Sequence, residues 1–69
     1  MKAKTTKELT PLSADDNLVF GRYNSYKFEV LKVEGENVLI RNLNENMVND
    51  PYYRTIDFLK QNGFKKVIK

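Results

Sequence analysis

Neither cysteine nor histidine occurs anywhere in the 69 residues. Without thiols there is no disulfide and no thiolate metal site; without imidazole the usual neutral-pH proton shuttle and the commonest metal ligand are gone. Ser/His and Cys/His nucleophile pairs are therefore excluded. Tryptophan is absent, and the three glycines stand singly at 21, 35 and 63, so no phosphate-cradling loop can be assembled from them. EF-hand spacing, HExxH, CxxC and GxSxG are missing as well. This inventory favours a protein that is not an enzyme, and it calls for no cofactor and no metal. One acidic pair, Asp15-Asp16, could with Glu8 or Asp50 offer oxygen ligands to Mg²⁺ or Ca²⁺, but adjacent acids ahead of a strand read first as a solvated turn.

Long apolar runs are lacking too. Nothing approaches the ~18–20 residues that span a bilayer, and the lysine-rich start is not followed by a signal-peptide core. The expectation is a protein without a membrane partner, in a reducing cytoplasm. Abundant asparagine and lysine suit an AT-rich genome, bacterial or viral.

Charge is present but unevenly placed. Twelve cations against nine acids give +3, yet Lys2, Lys4, Lys7, Lys60, Lys65, Lys66 and Lys69 put seven of the cations at the two ends. Residues 8–59 hold five cations and all nine acids, a net of −4. The basicity belongs to the extremities, which weakens the inference that a basic chain binds nucleic acid. Residues 1–10, polar and lysine-rich, read as a flexible arm because they have little apolar surface to offset the entropy of ordering; residues 11–69 read as one small domain.

The centre of that domain is a hairpin. Tyr26 to Val33 and Asn37 to Leu43 are rich in β-branched and aromatic residues and are separated by a turn at Gly35. Tyr26, Phe28 and Val30 alternate with Lys27 and Glu29, then the apolar phase slips to Leu31 and Val33. A one-residue slip predicts a bulge at Val30 and Leu31, with Val33 paired to Val38 and Leu31 to Ile40. The phrase Lys32-Val33-Glu34-Gly35-Glu36-Asn37-Val38-Leu39-Ile40 resembles the hairpins of SH3-like small barrels, which implies a sheet that curls. Ahead of it, 17–23 reads as a strand bent by Gly21, and Asn24 as a residue tolerant of positive φ.

Beyond an asparagine-rich link, Asp50-Pro51 signals a helix start with aspartate as cap and proline first in the helix. The helix is predicted over 51–62, with Gly63 as its left-handed terminator and Phe64 clasped on Leu59. Residues 64–69 suit a short last strand whose lysines would guard an exposed edge. The fold expected is α+β: a curled antiparallel sheet of three to four strands, an SH3-like partial barrel among the options, covered by one C-terminal helix. Phe20, Phe28, Leu31, Val33, Val38, Ile40, Tyr52, Ile56 and Leu59 would form its core.

Two surfaces stand out. On a helix, Tyr53, Arg54 and Phe58 would flank the buried stripe, and aromatics with arginine are the residue types that anchor protein interfaces. Arg22 and Tyr23 add to the candidate partner-binding set. The function expected is that of a small accessory factor or inhibitor that occupies another protein's surface, with self-association as a further option. The alternative is a nucleic-acid-binding module using Lys2, Lys4, Lys7, Lys65 and Lys66 on phosphates and Arg22, Tyr23 and Tyr26 for stacking.

Overall fold

In the computed structural model, which describes residues 4–44 and 50–68, the predicted hairpin is the longest paired unit. Six strands occur in chain order: β1 (Lys4–Thr6), β2 (Asn17–Phe20), β3 (Tyr26–Glu34), β4 (Asn37–Asn42), β5 (Tyr52–Thr55) and β6 (Lys65–Ile68). Among the described residues one α-helix, α1 (Ile56–Gln61), links β5 to β6. All pairs are antiparallel and make one sheet in the order β1-β6-β2-β3-β4-β5. The expectation of three to four strands under a C-terminal helix is thus overturned: the molecule is mostly sheet, and its helix is six residues long.

Local chemistry accounts for the parts that match. Val33 pairs with Val38 across a turn in which Gly35 has φ +60°, and the register shifts between Val30 and Lys32. The bulge is therefore where the phase slip put it, but Val30, not Leu31, faces Ile40, so Leu31 is the extra residue and stays outside the core cluster. Val30 donates its N–H to the Asp16 carbonyl at 2.8 Å, which ties the bulge to the segment preceding β2. In that segment Asp16 Oδ2 accepts from the Ser13 N–H at 2.8 Å and no helix follows, so the Ser13/Asp16 spacing closes a turn.

The helix begins later than 51. Tyr52-Tyr53-Arg54-Thr55 is aromatic and β-branched, and β4 presents an open edge; pairing Tyr52 with Ile40 and Arg54 with Val38 satisfies that edge. Thr55 then serves as N-cap, its Oγ1 accepting from the Phe58 N–H at 3.1 Å, where Asp50 was expected. The C-terminal end is as predicted. Phe64 N–H bonds to the Leu59 carbonyl and Gly63 N–H to that of Lys60, with Gly63 at φ +80° and both apolar partners in the core.

The core lies on one face of the sheet, between the strands, α1 and the segment joining β1 to β2. Leu9, Leu18, Phe28, Val30, Val38, Ile40, Leu59 and Phe64 form it, with Phe20, Val33, Tyr52 and Ile56 packed at its margin. Leu9 has no exposed surface, and residues 4–6 pair with β6, so the part of the expected arm that the structure describes is an edge strand and a core anchor. Nor is β6 an edge. It lies between β1 and β2, and its lysines guard no boundary. Among the described residues no helix is long and apolar enough to cross a membrane.

Candidate functional site

Residues directly opposite one another on paired strands share a face, and neighbours along a strand alternate. Leu18, Phe28, Val38 and Ile40 define the inner, packed face. By the same parity Val19, Lys27, Glu29, Arg41, Leu39 and Tyr53 lie on the outer face, opposite the one that packs the core.

This parity divides the first candidate surface. Arg54 falls on the inner side with Tyr52, its guanidinium 4.5 Å from the Tyr52 ring centre and 5.2 Å from that of Phe58. Because Ile56 N–H bonds to the Glu36 carbonyl, Arg54 and Tyr52 turn their backbone groups toward β4 while Tyr53 turns its own outward. Arg54 Nη1 donates to that outward Tyr53 carbonyl at 2.9 Å. The arginine is thereby engaged within the molecule, blunting an open strand edge. Tyr53 sits on the other face, where its hydroxyl helps to lower the pKa of Glu34. The Lys32 ammonium, 2.8 Å from Glu34, holds that carboxyl below its ordinary value, chiefly by hydrogen bonding, and is itself raised by the same contact.

The second candidate surface is drawn together in part. Arg22–Asn24 form a 3-10 turn between β2 and β3 in which Tyr23 and Asn24 have φ of +59° and +56°. The positive φ predicted for Asn24 is present, and Tyr23 shares it. A left-handed conformation costs a side-chain-bearing residue about 1–2 kcal/mol, and nothing packs on this tyrosine in return, since its surface is 92% exposed. Tyr26 packs otherwise, its ring tilted on Phe20 at 6.0 Å and close over Gly21. Gly21 has φ +88°, and an added Cβ would lie 2.8 Å from the Tyr26 ring. Gly21→Ala should therefore lower stability by about 1–3 kcal/mol, as read from the urea midpoint, with the turn displaced.

Of the remaining cations, Lys65 lies on the outer face directly opposite Val19, while Lys66 lies on the inner side and donates from Nζ to the Pro11 carbonyl at 2.7 Å. Lys4 pairs with Ile68, Lys7 follows β1 exposed, and Lys2 lies outside the described residues. The sheet does not gather these lysines into one track.

What it does build is a hollow of about 560 Å³ on the outer face, within the size range of ligand sites. Val19 and Val67 supply aliphatic floor, with Leu43 and Tyr23 as apolar walls. Thr5, Asn17, Asn24 and Lys27 add polar groups, and among the described residues no acid lines it. The position of Lys27 and Leu43 is fixed by the asparagines after β4: Asn44 Oδ1 accepts from the Lys27 N–H at 3.1 Å, Leu43 N–H donates to the Lys27 carbonyl at 2.9 Å, and Asn42 Oδ1 accepts from the Asn44 N–H at 2.7 Å. Asn42 is only 5% exposed, so this bonding is what makes its burial tolerable.

Sequence reasoning singled out Tyr23 but not Val19, Leu43 or Val67. The one available signal was Leu18-Val19-Phe20, three apolar residues in succession, which marks a strand with something to cover on both faces. Among the described residues no group of three acids converges as a metal site would require. No protein-family model matches the chain, and no curated protein or solved structure does either.

Proposed function

We propose that this protein is a small non-enzymatic binding factor that acts by occupying a surface of another protein, and that the bare outer face of the sheet is the side it presents. The observation that carries the reading is Tyr23: an aromatic ring held out in a costly backbone conformation, beside an aliphatic hollow, with no packing role of its own. Strained and exposed aromatic residues gather where binding repays them. The likeness of the central hairpin to those of SH3-like small barrels points the same way, as an analogy of shape.

Replacing Tyr23 with glycine relieves the strained backbone and removes the ring, so stability should hold or rise while binding falls. The expected result is that tagged protein captures a partner from nuclease-treated lysate, and that Tyr23→Gly and Leu43→Asp each reduce capture at least about tenfold, equivalent to 1.4 kcal/mol, with unchanged thermal midpoints. Capture indifferent to both substitutions would remove the outer face from consideration. Loss of the captured material on nuclease treatment, with a steep fall in binding as salt is raised, would instead favour the nucleic-acid reading, in which Lys65 is among the lysines that hold phosphates and Tyr23 stacks on a base.

A further inference from the structure

Val19 sits between two lysines. Lys27 of β3 is directly across from it on one side and Lys65 of β6 on the other, so both stand on the outer face about two strand spacings, roughly 10 Å, apart. Val19 itself is 7% exposed and lines the hollow. The other cations of this face are already neutralised: Arg41 is paired with Glu29, and Lys32 with Glu34. Among the described residues neither Lys27 nor Lys65 has such a partner, and none that lines the hollow is an acid.

Resting on the reading above, we propose that this hollow receives an extended acidic segment of the partner protein, with one bulky apolar side chain lodged over Val19 and a carboxylate on each side engaging Lys27 and Lys65. In an extended chain, side chains two residues before and after an anchor project to the same side as it does and span about 13 Å, within reach of ammonium groups on flexible stems. The polar groups bordering the hollow fit a peptide. Asn17 and Asn24 carboxamides and the Thr5 hydroxyl each both donate and accept, which is what a peptide backbone requires, whereas phosphates only accept. A nucleic-acid strand would also call for successive stacking platforms, and of the two aromatics among the described lining residues only Tyr23 is exposed, Phe28 being buried in the core.

The test uses the full chain and fluorescence anisotropy with three probes: a capped peptide with a central Phe and Glu two positions to either side, the same peptide with Gln for Glu, and a short oligothymidylate. The acidic peptide should bind at least about tenfold more tightly than the Gln peptide, and Lys27→Gln combined with Lys65→Gln should erase that difference. Lys60→Gln, which removes an exposed cation on α1 away from the hollow, should leave it intact. Equal binding of the two peptides, or none by either, overturns the proposal, as does an oligothymidylate that binds more tightly with the same dependence on the lysines. If partner capture is lost in Tyr23→Gly but persists in the double lysine variant, the acidic-segment inference fails while the outer-face reading stands.

Discussion

Phe64→Ala should leave most of the protein unfolded at 25 °C. The ring is stacked on Phe20 with centres 4.8 Å apart, tilted on Phe28 at 5.2 Å, and buried in the core cluster. Its backbone N–H also closes the α1 terminus on Leu59, so the residue joins the helix end to β2 and β3 through one side chain. Truncating a buried phenylalanine costs about 3–5 kcal/mol. A core in a chain this small supplies about as much in total. The expected observation is loss of the cooperative thermal transition, with Phe64→Leu, which keeps most of the volume, retaining it at a lower midpoint. A Phe64→Ala variant melting within a few degrees of the parent would mean that the aromatic cluster is not the hub of the core.

The second large effect is expected at Leu9. From sequence it is one apolar residue in a lysine-rich stretch that has little reason to order. In the structure it has no exposed surface and belongs to the same cluster as Leu18 and Leu59. Leu9→Ala should cost about 2–5 kcal/mol, measured by urea denaturation, whereas Glu8→Ala beside it, exposed, should fall within about 0.5 kcal/mol of the parent. A truly flexible arm would make the two substitutions indistinguishable.

These two residues show where sequence reasoning stops. The hairpin, the bulge and the Gly63–Phe64 terminator were legible because each is decided within a few residues: Gly35 permits the turn, the apolar phase slips at Val30, and only glycine enters the left-handed cap cheaply. Strands β1 and β5 were not, nor was the place of β6 between β1 and β2, because their partners lie far along the chain. Tyr52–Thr55 read equally well as the first turn of a helix; the open edge of β4 decides against it, and that edge exists only in three dimensions. The same limit applies to the site. Tyr23 could be named from composition, but the hollow beside it joins Val67 to Val19 and Lys27, and the register that sets Lys65 opposite Val19 follows from a strand order that no local pattern reports.

That order has a consequence for synthesis. Among the described residues β1 has no hydrogen-bonded strand neighbour except β6, which follows it by some sixty residues. While the chain emerges from the ribosome, everything from β2 to α1 can assemble as a meander, yet residues 4–6 must wait, unpaired, until 65–68 arrive to slot in beside β2. The wall of the hollow that Thr5 and Val67 provide is therefore the last part to exist, and a nascent protein presents the Tyr23 turn before it has the groove that the turn overlooks.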